Sequence, residues 1–180
     1  MNSIKETNNF QQITLGVLRI AMGFVFLWPF LDKMFGLGFA TTPENSWLAG
    51  SSPTQGFLNF YGVNQNSPFA FLFSDILGNA YQLVDIAYMA MLLFAGIALI
   101  SGVFIRLSSI STIIFLASVY LSAWIIAPAQ GTAVYNPLID EHIIYILVLL
   151  LFIFVPVGNY LGLGERWSRL SLVEKYPILK

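Results

Sequence analysis

The stretch Ile13–Phe35, "ITLGVLRIAMGFVFLWPFLDKMF", decides how this chain is read. A helix needs roughly 20 mostly apolar residues to cross a bilayer core of about 30 Å. This stretch supplies them, with Arg19, Asp32 and Lys33 as its only charges. The composition agrees: 57% of the 180 residues are hydrophobic and 9% are charged. An ordinary soluble domain carries about 25% charged residues, and so few charges could not cover the surface of a soluble fold of this size. Residues 1–180 therefore read as a single integral membrane domain of the all-α class. The net charge of -1 and the lack of a basic run give no indication of nucleic-acid binding. The chain has no cysteine, which excludes a disulfide framework, thiolate chemistry and the usual ligands of iron–sulfur clusters. The first apolar stretch begins only after "MNSIKETNNFQQ", is too long for the core of a signal peptide, and has no A-x-A site after it.

Working outward, spans are expected at about 13–35, 83–104, 107–127 and 137–155, which gives a four-helix membrane bundle. The second and third are separated only by a tight turn around "FIRLS" and form an antiparallel hairpin. Lys5, Arg106, Arg166, Arg169, Lys175 and Lys180 all fall on one side of these spans, and Lys33 alone faces the other. The positive-inside rule then places both termini inside. Within the spans, Gly16, Arg19 and Gly23 share one stripe, as do Ser111, Ser118 and Ser122; small residues let helices approach closely in lipid. Arg19 is expected to point into the bundle or to snorkel to the inner interface, as an anchor or interhelical donor rather than as a catalytic group. The aromatic segment 36–82, broken by "TTPENS", "AGSSPTQG" and "NQNSP", reads as a folded extracytoplasmic cap, with "SPFAFLFSDIL" its best candidate for an interfacial helix. The tail 156–180 reads as an inner-interface segment anchored by Trp167 and Arg169.

This topology brings polar residues from all four spans to one depth near the outer side. Asp32 and Lys33 end the first span, Asp85 and Trp124 lie near the outer ends of the second and third, and Asp140, Glu141 and His142 open the fourth. Trp28 and Asp32 are i and i+4, and His142 and Tyr145 are i and i+3, so inward faces would make an acidic, aromatic pocket under the cap. Against this, Asn136 as cap and Pro137 as first helical residue would start the fourth span unaided. Asp140 and Glu141 would then only complement the helix dipole, and Asp32–Lys33 would be an interfacial ion pair. Ionisable groups inside a membrane are costly and default to functional hypotheses. A histidine beside a carboxylate exchanges protons near neutral pH, and stacking rings with a hydrogen-bond donor suit a quinone headgroup. On this reading His142, Asp85 and Asp32 are the candidate catalytic groups, with His142 facing inward and oriented by Asp85 or Asp32. Trp28, Lys33, Trp47, Trp124, Glu141 and Tyr145 are candidate quinone- or substrate-binding groups. A lone histidine gives no ligand set for a metal or haem.

"LRIAMGFVFLWPFLDKMFGLGF", "SWLAGSSPTQGFL" and "NPLIDEHIIYILVLLL", in this order and closed by "LGERW", resemble the DoxX family of small four-helix membrane proteins, more narrowly its DoxD-like branch. Asp32, Lys33, Trp47, Ser52, Asp140, His142 and Tyr145 match motif positions. The resemblance implies a multi-pass protein of a prokaryotic cell membrane and a role like that of the large subunit of thiosulfate:quinone oxidoreductase, with a small DoxA-type partner. A second expectation is a non-catalytic membrane anchor or assembly subunit for a soluble redox partner. A third is a small-lipid or quinone binder without turnover. Membrane lipid and a further copy of the chain are the other expected partners.

Overall fold

The computed structural model describes residues 9–63, 71, 77–123 and 139–180, and every element among them is helical. The α-helices are α1 (Asn9–Phe35), α2 (Gln55–Val63), α3 (Tyr81–Ser101), α4 (Ile105–Ala123), α5 (Glu141–Phe154), α6 (Gly164–Ser168) and α7 (Ser171–Lys175). Helices α1 and α3 are each long and apolar enough to cross a membrane, and α4 and α5 are shorter apolar helices. Helices α1, α3, α4 and α5 fall within or overlap the apolar stretches read from the sequence, with ends shifted by a few residues. Trp124, Asn136, Pro137 and most of "SPFAFLFSDIL" lie outside the described residues.

Local chemistry sets the helix ends. At the end of α3, Gly102 adopts the left-handed conformation (φ 84°) and its N–H returns to the Ala98 carbonyl, a glycine C-cap. Three residues later α4 begins, so the expected hairpin turn is Gly102–Phe104, just ahead of "IRLS". At the other end of α4's partner, α5 starts later than expected. Its cap is Asp140, in extended conformation, whose carboxylate accepts from the amides of His142 (3.0 Å) and Ile143 (3.2 Å). The expected start at Asn136 and Pro137 is therefore corrected: an ionised carboxylate satisfies two orphan amides at once, and Glu141 becomes the first helical residue. The helix stops at Val155, which is extended (ψ 134°) because Pro156 follows it.

Packing runs α1 on α3, α3 on α4, and α4 on α5. Gly23 and Gly96 make the first of these contacts possible. A Cβ on Gly23 would lie 2.6 Å from Ile100 Cγ1, and one on Gly96 would lie 2.8 Å from Leu27 Cβ. These contacts also make α1 and α3 antiparallel. The core between the helices holds Met22, Phe26, Phe30, Met89, Leu92, Leu99, Leu116, Leu149 and Phe152. On α4 the buried polar face is Ser108, Ser109 and Thr112. This corrects the expected stripe: Ser118 is exposed and bonds its own helix at the Phe115 carbonyl. All three stripe members fit a helical period, and period alone does not say which face meets the neighbour.

Arg19 closes the opposite end. It is fully buried. Its Nε donates to the Val157 carbonyl (3.2 Å), Nη1 to those of Leu99 and Ile100 (2.9 Å to the latter), and Nη2 to those of Tyr160 (3.0 Å) and Leu161 (3.1 Å). Leu99 and Ile100 belong to the last turn of α3, whose carbonyls have no helical partner. One guanidinium thus ties α1 to the end of α3 and to the segment after α5. The tail then folds across this end. Trp167 packs on Phe104 at 4.4 Å and donates to the Leu179 carbonyl at 2.6 Å, while Val173 is fully buried. Trp167 is thus an anchor to the protein, whereas Arg169 pairs with Glu165 on an exposed surface. Lysine carries the charge of arginine without its planar fork. Arg19→Lys is therefore expected to leave several of these carbonyls unsatisfied and to destabilise the fold by about 3 kcal/mol or more, seen as a lowered thermal midpoint in detergent.

Candidate functional site

Among the described residues, those singled out in the sequence gather at the end of the helices away from Arg19. Asp32, in the last turn of α1, is 2% exposed. Its two oxygens accept the amides of Phe39 (3.2 Å) and Ala40 (3.0 Å). The loop thereby turns back over the end of α1, where the Trp47 amide reaches the Lys33 carbonyl at 2.8 Å. The expected Asp32–Lys33 ion pair is not among the described ion pairs. The amides of a tight turn supply donors that a solvated lysine head would otherwise have to provide.

Asp85 opens the buried stripe of α3, about one turn from the start of the helix, and is 4% exposed. Its Oδ1 accepts the Ser52 hydroxyl (2.8 Å), the Thr54 amide (3.1 Å) and the Thr54 hydroxyl (2.5 Å). Ser52 in turn accepts the Gln55 amide at 3.0 Å and so begins α2. The S-P-T turn of the loop is a fitted clamp for one buried carboxylate. Thr54 was missed from the sequence. The signal was available in the two hydroxyls flanking Pro53, a turn pattern whose side chains seek an acceptor.

His142 sits in the first turn of α5. Its Nδ1 lies 2.8 Å from Asp140 Oδ2, with the two side chains 27% and 19% exposed. The expected partners, Asp85 and Asp32, are corrected to Asp140. The cap carboxylate lies two residues back, directly under the ring, and the other two are already engaged. Asp140 is an acceptor, so Nδ1 carries the hydrogen and Nε2 is the ring nitrogen left for another partner. Asp140, Glu141 and His142 bring donor atoms within 4.8 Å of one another. With Asp140 holding two amides and the imidazole, that grouping is the geometry of a capped helix start.

Tyr145 is half-buried and meets Phe26 edge-on at 6.3 Å. That contact fixes the level of α5 against α1. His142 lies one turn, about 4.5 Å, beyond it, and Asp32 about 9 Å beyond it. Trp28 is 43% exposed and packs edge-on to Phe39 at 4.9 Å. It does not turn inward with Asp32, because four residues overshoot a full helical turn by about 40°. Trp47 is half-buried against the core, Lys33 half-buried, and Glu141 exposed. The polar layer is thus two cap clamps plus a separate His142–Asp140 pair with Tyr145 one turn below. Asp32 and Asp85 are engaged by the cap, whereas His142 and Tyr145 lie one turn apart on α5.

Two open clefts lie at the other end of the described helices. A cavity of about 330 Å³ opens between the start of α4, the end of α5 and the tail, lined by Arg106, Phe152, Val157, Asn159 and Trp167 among others. Beside it a second, of about 380 Å³, is lined by Arg106, Ile110, Ile153, Phe154, Pro177 and Ile178. Nothing in the sequence pattern marked these, since they depend on how the tail folds back.

Neither family models, curated proteins nor solved structures give a match to this chain.

The clamps and the helix cap are separable. Thr54→Val is expected to cost about 1 kcal/mol and to expose the segment after Gly36 to protease while α5 stays intact. Asp140→Ala is expected to fray α5 by a similar amount without opening the cap. Limited proteolysis with thermal melting checks both.

Proposed function

We propose that this chain is a four-span membrane subunit of the DoxX type, resembling its DoxD-like branch, that works with a redox partner and a membrane quinone. In this reading α1, α3, α4 and α5 all cross the bilayer. The cap lies outside, and the Arg19 end, Arg106 and the tail lie inside, as the distribution of Lys and Arg requires. The observation that carries the redox reading is the His142–Asp140 pair: an imidazole oriented by a carboxylate and partly exposed at the mouth of an apolar helix. A bound quinone or quinol would supply two-electron, two-proton chemistry there. The protein's part is to position and move the proton. With thiosulfate as the electron source the quinone would be the acceptor and would need two protons; His142, protonated from the outer side, would donate a hydrogen bond from Nε2 to a quinone carbonyl and hand over its proton, while Asp140 orients the ring and stabilises its protonated form. The Tyr145 hydroxyl serves as the second polar contact. Thiosulfate is the proposed electron donor. As a dianion it meets Asp32, Asp85, Asp140 and Glu141 at this end, so it is received on the small partner subunit rather than on this chain.

A second reading, a non-catalytic anchor that presents its cap to a soluble redox partner, is favoured by Asp32 and Asp85. Both carboxylates are used to hold the cap in one shape.

Two measurements separate these readings. The cysteine-free chain permits single-cysteine labelling. A cysteine at Ser51 is expected to react with an impermeant thiol reagent in intact cells, and one at Ser171 only after lysis; the reverse pattern sinks the topology. His142→Gln is expected to preserve assembly and lower quinone-linked turnover of the purified complex by about 10²-fold or more, the scale of a lost proton-transfer group. Wild-type turnover in an assembled His142→Gln complex would leave the anchor reading standing.

A further inference from the structure

The two cavities at the Arg19 end share one wall. Arg106, Ile153 and Phe154 line both. On one side the lining is mixed, with Asn159, Ser168, Trp167 and Lys180. On the other it is apolar apart from Arg106, with Ile110, Ile153, Phe154, Pro177 and Ile178. Polar and apolar spaces therefore meet at a single guanidinium. Volumes of this size are those of small-molecule sites, and their joint shape is amphipathic.

Arg106 has few partners for a cation in such a place. Its amide donates to the Lys180 carbonyl at 2.8 Å and its Nη1 to the Pro177 carbonyl at 3.1 Å. Among the described residues, the ion pairs are His142–Asp140 and Arg169–Glu165, so no side-chain carboxylate neutralises it. A guanidinium half-buried against isoleucine and phenylalanine calls for an anion with planar or forked oxygens, which phosphate and carboxylate groups provide. Phe154, 80% exposed, and Ile178, 45% exposed, continue the apolar side out to the surface. The ligand that joins a phosphate to a long apolar chain, and that surrounds a membrane protein, is a phospholipid.

We propose that Arg106 holds the phosphate of an anionic phospholipid, with one acyl chain lying along Ile110, Ile153 and Phe154 and the C-terminal tail closing over the headgroup. The site rests on the membrane reading above and is independent of the redox chemistry. It would make the tail's docking sensitive to the lipid composition of the inner leaflet, because Pro177 and Lys180 are held by the same arginine that holds the lipid.

Trp167 lines the mixed cavity and reports on it. The full chain is reconstituted into phosphatidylcholine vesicles with or without phosphatidylglycerol, using lipid brominated near the glycerol end of the acyl chains as a contact quencher, and Trp167→Phe identifies the Trp167 signal. Brominated phosphatidylglycerol is expected to quench Trp167 with a roughly five-fold preference over brominated phosphatidylcholine, the size set by one basic group at an anionic lipid surface. Arg106→Gln is expected to abolish the preference and Arg106→Lys to keep part of it, in variants whose helical circular dichroism matches the parent. Equal quenching by the two lipids, or a preference that survives Arg106→Gln, overturns the lipid site. So does a quinone, rather than a phospholipid, protecting Trp167 from the quencher. A chain that enters neither vesicle type overturns the membrane reading and the lipid site together, whereas a chain that enters both without preference overturns the lipid site alone.

Discussion

The guanidinium of Arg19 is the interaction on which the arrangement of helices depends. A fully buried cation is tolerated when its donors are all satisfied, and here the acceptors are main-chain carbonyls from two separate segments. Those at the end of α3 would otherwise be unpaired in an apolar setting, where each would cost several kcal/mol. The cation and the helix end therefore answer one another's need. The C-terminal end of α3 carries partial negative charge, which adds to the attraction. Through the same group, α1 also fixes the segment that follows α5, and with it the place from which the tail folds back.

The other end uses the inverse device. There the buried charges are carboxylates, and the groups that satisfy them are loop amides and hydroxyls. Asp32 gathers the turn that leaves α1, and Asp85 gathers the turn that starts α2. Between them the cap is bound to two different helices. One end is organised by a cation reading carbonyls and the other by anions reading N–H and O–H groups. In each case the ionised side chain belongs to a long helix and the neutral partners to irregular backbone, where unpaired polar groups accumulate.

Much of this was legible in the sequence. The apolar helices α1, α3, α4 and α5, the hairpin between α3 and α4 and the buried Gly16–Arg19–Gly23 stripe follow from length, period and residue chemistry. Partnership was harder to read. Asp85 was matched to His142 by depth, but depth along a helix fixes one coordinate out of three. The nearer candidates, Ser52 and Thr54, lay in a loop whose path no periodic pattern describes. The face of α4 was misassigned for a related reason: a serine stripe at Ser111 and Ser118 has the correct period and the wrong azimuth. His142 was assigned a distant carboxylate, although the one two residues before it was closer by construction once that residue became the helix cap.

The late start of α5 carries a consequence of its own. With 14 residues it is about 21 Å long, while the 27 residues of α1 reach about 40 Å. In the four-span reading the protein is therefore taller on one flank than on the other. Lipid beside α5 would have to compress and lipid beside α1 to stretch, at a small cost for each ångström of mismatch. Such a body deforms the bilayer around it unevenly. Two copies reduce that deformation when their short flanks adjoin, so bilayer thickness itself becomes a force that orients neighbouring proteins toward the His142 face.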